Sequence, residues 1–128
     1  MIKNPISYLP HGPEIVAIKE ILSLGQNSIC CSIFCCSVLA KGSIINSIEY
    51  VAQATAVGRI SNAKQPELKL GMIIRIKEFE ILNANEICQT VESSWSDSVA
   101  NVYQTEGKAF SKDGKLLARV VMTMMEHQ

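Results

Sequence analysis

With 128 residues, the chain has the size of a single domain with one real core, which we read as residues 1–128. Twelve Lys plus Arg balance twelve Asp plus Glu, so the formal net charge is zero. That balance argues against nucleic acid or an anionic membrane as the main partner, and a neutral chain with few charges suits a protein that hides part of its surface in an oligomer.

The start, Met1-Ile2-Lys3-Asn4-Pro5, has no apolar run of signal-peptide length, and no stretch is long enough to span a bilayer. A cytoplasmic protein is expected. Residues Met1 to Pro13 read as an irregular lead-in. Pro10 and Pro13 disfavour helix at Leu9 and Gly12, and His11 between them reads, on its own, as an ordinary loop histidine. Glu14 to Leu24 is enriched in β-branched residues and fits a strand or a short helix. The Gly25-Gln26-Asn27 turn and the segment after it favour a strand pair. Ser28 to Val38 alternates loosely, with Ile29, Cys31, Ile33 and Cys35 on one face and Cys30, Ser32, Phe34 and Cys36 on the other, so both faces are expected to be largely covered.

Cys30, Cys31, Cys35, Cys36 and Cys88 make an odd count with adjacent pairs, which suits reduced thiols better than a disulfide framework. Adjacent residues of a strand point to opposite faces, and the C-x-x-C spacing of zinc sites is missing. No metal is expected.

The next stretch organises the rest. Ile44 to Ile60 is the one good helix candidate, and a helix is predicted from about Ser43 to Ser61. Ile44, Ile48, Val51 and Thr55 fall on one side, Tyr50, Ala54 and Val57 on a second, Ala52 and Ala56 on a third. With no wide polar stripe, this helix is predicted to be buried all round. Glu49 and, one turn later, Gln53 share a face, and a carboxylate on a buried helix needs a partner or a purpose. The bland purpose is capping. Ser43 or Asn46 is a candidate N-cap, Glu49 stands at the capping-box position three after Asn46, and Gln53 then bonds to a strand carbonyl. Gly58 and Asn62 are helix-end signals, and Pro66 closes the region.

The remainder reads as strands: Leu68 to Leu82, Glu86 to Ser96, Val99 to Phe110 and Leu116 to Met125. In the first of these, Met72, Ile74 and Ile76 fall on one face and Ile73, Arg75, Lys77, Phe79 and Ile81 on the other. Lys112-Asp113-Gly114-Lys115 is a two-residue hairpin signal. An α+β architecture follows, in which an antiparallel sheet curls around one long central helix. Its remaining edge is expected to be covered by a second copy, giving a homo-oligomer built on a dimer.

Leu9-Pro10-His11 ahead of the first strand, Ile48-Glu49-Tyr50-Val51-Ala52-Gln53-Ala54 in the helix and Leu70-Gly71-Met72-Ile73-Ile74-Arg75 after it resemble the hotdog-fold 3-hydroxyacyl-[acyl-carrier-protein] dehydratases. More narrowly, they resemble the dehydratase-like branch associated with aryl-polyene type biosynthesis. The resemblance runs from about Leu9 to Met125. It implies a hotdog fold and loss of water from a 3-hydroxyacyl thioester carried by acyl carrier protein or coenzyme A. It implies no cofactor. N–H groups at the helix N-terminus would polarise the thioester carbonyl. It also implies catalytic roles for Glu49 as acid and His11 as base, and substrate-binding roles for Gln53 and Gly71, with burial raising the pKa of Glu49.

The chain departs from the best-known family pattern twice. No histidine lies between Phe34 and Glu49, where Cys35 stands in the expected place, and Ser43-Ile44 replaces the proline-glycine at the start of the helix. The only histidines are His11 and His127. Three readings follow: His11 serves as base, catalysis is altered, or this copy is inactive. A hotdog acyl thioesterase, in which Glu49 alone activates water, is the alternative enzyme. A non-catalytic subunit that pairs with an active hotdog partner as a hetero-oligomer is the alternative outside catalysis.

Overall fold

The computed structural model describes residues 18–34, 47–62, 71–83 and 86–126. In chain order they form β1 (Ile18–Leu24), β2 (Ser28–Ile33), α1 (Ser47–Asn62), β3 (Gly71–Ile81), β4 (Thr90–Trp95), β5 (Val102–Phe110) and β6 (Leu116–Glu126). The six strands make one antiparallel sheet in the order β1-β2-β4-β5-β6-β3. The helix packs on one face, chiefly over β4, β2 and β5 and less over β1 and β6. This is the expected α+β arrangement. Among the described residues no helix is long and apolar enough to cross a membrane.

The strands that carry the helix alternate cleanly, as a sheet with one solvated face must. Val91, Ser93 and Trp95 of β4 are buried while Glu92 and Ser94 are exposed. In β5, Tyr103, Thr105, Gly107 and Ala109 turn inward. On β2, Ile29, Cys31 and Ile33 are buried, but the other face is not covered as expected: Ser28 and Phe34 are exposed and Cys30 and Ser32 half-buried. The helix contributes Tyr50, Val51, Ala54 and Val57 to this core.

Two glycines set how closely the helix lies. A Cβ on Gly107 would sit 2.3 Å from Val51 Cγ1, and one on Gly58 2.4 Å from Trp95 Cη2. Gly58, expected as an end signal, is therefore an interior residue whose missing side chain lets the helix rest on the Trp95 ring. The helix runs on to Asn62, where the side-chain Nδ2 donates to the carbonyls of Gly25 and Gln26, each at 2.9 Å.

Three further details differ from the sequence reading. First, the β5–β6 hairpin has a three-residue loop. Gly114 N donates to Ser111 O at 3.0 Å and Ser111 N to Lys115 O at 2.9 Å, and only Gly114 in this loop takes positive φ, at 82°. That is a type I turn closed by a left-handed glycine, the usual three-residue solution. Second, β5 starts at Val102 because Val99 to Asn101 form the turn from β4, with Ala100 and Asn101 at φ 52° and 66°. Third, the pairing of β3 with β6 is interrupted between Ile73 and Arg75 and again between Ile76 and Glu78. Each bulge adds one residue and reverses the alternation. Ile73, Ile76 and Phe79 lie opposite Met124, Met122 and Val120, buried residues of β6, whereas Arg75 and Glu78 lie opposite Thr123 and Val121 on the outer side. A strict two-residue period had put Ile76 and Phe79 on different faces.

Candidate active site on the open flank of the helix

The helix is not buried all round. Tyr50, Val51, Gln53, Ala54, Thr55, Val57 and Gly58 are buried, but Ile48, Glu49, Ala52, Ala56, Arg59 and Ile60 are only half-buried. At about 100° per residue those six fall within one band of about 120°. The band turns toward the β6 and β3 side of the sheet, because Arg59 within it reaches Glu126 at the end of β6. A narrow apolar stripe of isoleucine and alanine thus runs along an incompletely covered flank, with one carboxylate in its first turn.

That carboxylate is Glu49. Gln53, one turn on and 1% exposed, donates from Nε2 to Glu49 Oε1 at 3.1 Å. The bond gives the buried amide an acceptor and ties one carboxylate oxygen to the rigid helix. The structure therefore brings Glu49 and Gln53 together. Glu49 itself is not enclosed in the single chain, so the full burial expected of it is absent. His11 lies outside the described residues, as do Cys35, Ser43, Ile44, Asn46 and His127. Gly71 is at the other end of the helix. It opens β3 opposite Glu126, whose carboxylate pairs with Arg59 in the last turn. Glu49 and Arg59 are ten residues apart, about 15 Å along the axis. A Cβ on Gly71 would lie 3.2 Å from Tyr103 Oη, so the glycine makes room for that phenol.

Sequence reasoning missed the cluster around Arg59. Its guanidinium donates to Glu126 and stacks 3.9 Å above the Tyr103 ring centroid. Burial pushes the Tyr103 phenol up to about 12, with Arg59 lowering it and Glu126 raising it by lesser amounts. The available signal was Arg59 itself, the second charge on an apolar helix, standing at the C-terminal end that favours a cation. On the covered side, Thr55 Oγ1 donates to Val51 O at 2.8 Å and so accepts from Ser93 Oγ at 2.6 Å. Both hydroxyls are thereby satisfied inside the core.

Cys30, Cys31 and Cys88 are thiols outside any disulfide. Burial, with Cys30 beside it, pushes the Cys31 thiol up to about 12. Among the described residues no group of His, Cys, Asp and Glu is arranged to hold a metal ion. A polar cleft of about 380 Å³ lies over β1, β2, β4 and β5, lined in part by Ser23, Cys30, Glu92 and Lys108; Glu49 does not line it.

No protein-family model and no curated protein matches the chain. Solved structures do. The dehydratase heterocomplex ApeI:P from Xenorhabdus doucetiae superposes with a TM-score of 0.78 at 17% identity, over 99% of this chain and 93% of that one. The chain has the hotdog fold. The dehydratase domain of PpsC from Mycobacterium tuberculosis, in complex with C12:1-CoA, shares this hotdog architecture with a TM-score of 0.70 at 11% identity, over 97% of this chain and 50% of that one. A hypothetical thioesterase protein from Streptococcus pneumoniae, with coenzyme A, gives 0.61 at 12% identity, over 84% of each chain. Identities this low establish the hotdog fold alone, and the chemistry rests on the residues.

Proposed function

We propose that this hotdog protein is a 3-hydroxyacyl thioester dehydratase-like enzyme of fatty acid or polyene biosynthesis, in the branch associated with aryl-polyene type pathways. The observation that carries the proposal is the half-buried Glu49, oriented by the buried Gln53 at 3.1 Å and set in the first turn of the helix on its open flank. Dehydration is redox-neutral. It needs one base for the α-proton, one acid for the departing hydroxyl and a site for the charge on the thioester oxygen, so no cofactor is required. Glu49 gives the proton to the leaving hydroxyl. Oε1 accepts from Gln53, which places the transferable proton on Oε2. His11 takes the α-proton. The helix N-terminus, with its partial positive charge, favours the oxygen as negative charge develops there. The apolar stripe of Ile48, Ala52 and Ala56 suits an acyl chain delivered on acyl carrier protein or coenzyme A.

The likeness to dehydratase structures supports this reading, and the likeness to a thioesterase supports a second, in which Glu49 activates water against the thioester. Purified protein with 3-hydroxyacyl, enoyl and saturated acyl thioesters separates them. Hydration of the enoyl thioester is the expected result. Release of free thiol instead identifies a thioesterase, and silence on all three substrates supports a non-catalytic subunit.

A further inference from the structure

The open band of α1 and the inner face of β3 run side by side. Ile48, Ala52 and Ala56 lie on the helix band. The two bulges put Ile73, Ile76 and Phe79 on the helix-facing side of β3, opposite Met124, Met122 and Val120. The strand register fixes which end is which. Phe79 is aligned through Val120 with Gly107, which lies against Val51 near the start of the helix, where Glu49 stands. Ile73 is aligned through Met124 with Tyr103, whose ring lies under the Arg59 guanidinium. The result is an apolar strip with Glu49 at one end and the Arg59–Glu126 pair at the other.

We propose that the Arg59–Glu126 pair, backed by Tyr103, is the end stop of this strip and limits the acyl chain to about twelve carbons. The inference rests on the reading that seats the 3-hydroxyl carbon beside Glu49. Glu49 and Arg59 are about 15 Å apart along the helix axis. A chain end stays about 4 Å from the guanidinium. An extended chain gains about 1.2 Å per bond, so about nine bonds fit beyond the hydroxyl carbon. The stop is firmly held. The Arg59 and Glu126 side chains are 21% and 10% exposed, and the guanidinium stacks on Tyr103 at 3.9 Å. Glu126 N donates to Asn101 O at 2.9 Å, which fixes the end of β6. Forcing a methylene past the pair would separate two largely desolvated charges, and that costs more than burying the methylene returns.

Saturated acyl-coenzyme A thioethers of graded length are turned over by neither a dehydratase nor a thioesterase. Their Kd, read by calorimetry, reports the limit whatever the chemistry at Glu49. Kd should fall roughly fourfold per added carbon up to about twelve carbons and no further at sixteen. The double variant Arg59→Ala, Glu126→Ala removes both charges together. In it the sixteen-carbon probe should bind at least about tenfold tighter than the twelve-carbon one. If that chain does not fold by circular dichroism, Arg59→Gln with Glu126→Gln shortens the stop and removes its charge, and should shift the limit the same way. Ala56→Leu blocks the strip one turn earlier and should bring the limit down to about eight carbons. Arg119→Ala, whose guanidinium meets Glu106 on the outer face of the sheet, should leave the limit in place. An unaltered chain whose Kd keeps falling from twelve to sixteen carbons, a folded double variant that still levels off at twelve, or a Kd independent of length would each overturn the inference. Enoyl thioester turnover, measured alongside, tests Glu49 separately: silence there, with the limit at twelve carbons, removes the dehydratase and leaves the end stop standing.

Discussion

The two sides of α1 face opposite requirements. On the covered side the helix meets β2, β4 and β5 through glycines at Gly58 and Gly107, and the hydroxyls there, Thr55 and Ser93, satisfy each other and Val51 O. On the open side, side chains are short (Ala52 and Ala56) or half-buried, and the charged groups of the helix, Glu49 and Arg59, are both there. The covered side has no room for a ligand between helix and sheet. Whatever the protein binds along this helix must lie on the other flank. With the proposed function, stability and chemistry fall to different faces of one helix, and substitutions should separate them.

The largest expected effect on stability is at Gly107. A methyl group there would overlap Val51 at Cγ1, Cγ2 and Cβ, at 2.3, 2.5 and 2.9 Å, and a branch point cannot swing aside. Gly107→Ala should cost about 3 kcal/mol, read as a drop in the urea midpoint. Ala56→Leu, a larger addition on the open flank, should change that midpoint by less than about 1 kcal/mol. If the two cost the same, the distinction between the faces is wrong. Thr55→Val ranks next. It is nearly isosteric but leaves the Ser93 hydroxyl, 3% exposed, without its acceptor, and should cost about 1–3 kcal/mol.

Alkali should act through buried groups. Burial holds the Tyr103 phenol protonated to about 12 against an ordinary 10.0 and the Cys31 thiol to about 12 against 9.0. The unfolded chain releases these protons first, so it binds fewer protons than the folded one. Stability should therefore fall as pH rises from about 9 to about 12 and be insensitive to these groups below that window. Urea midpoints across that range test the sign. The smallest effect is at the β4–β5 turn. Ala100 holds φ 52°, a conformation that costs an L-residue roughly 1 kcal/mol and glycine little, so Ala100→Gly should raise the melting temperature slightly.

Much of the fold was legible because period and punctuation carry it. The nearly stripe-free apolar run marked the helix that is seen from Ser47 to Asn62, and β4, β5 and β6 lie close to where the stretches Glu86 to Ser96, Val99 to Phe110 and Leu116 to Met125 read as strands. What misled was any place where tertiary contact overrode the local signal. Gly58 looked like a helix end and is a contact with Trp95. Two bulges in β3 turned a two-residue pattern into a three-residue one, and no residue type announces a bulge at Ile74 or Lys77. Apolar residues at Ile48, Ala52 and Ala56 suggested burial on all sides, because sequence does not say where a helix runs beyond its sheet. Of the candidate site, Glu49 and Gln53 were readable as neighbours one turn apart. The partnership of Arg59 with Glu126, 67 residues away, was not.

The measurement that bears most directly on this division is the activity of Glu49→Gln in enoyl thioester hydration, beside Gly107→Ala assayed in the same way. Glu49→Gln keeps size and the capacity to bond Gln53 but cannot transfer a proton. With an unchanged circular dichroism spectrum and urea midpoint, it should lose about 100-fold or more in kcat, whereas Gly107→Ala should lose stability first and retain its turnover per folded molecule. Full activity in a folded Glu49→Gln chain would contradict the account and leave Glu49 as a first-turn carboxylate serving the helix.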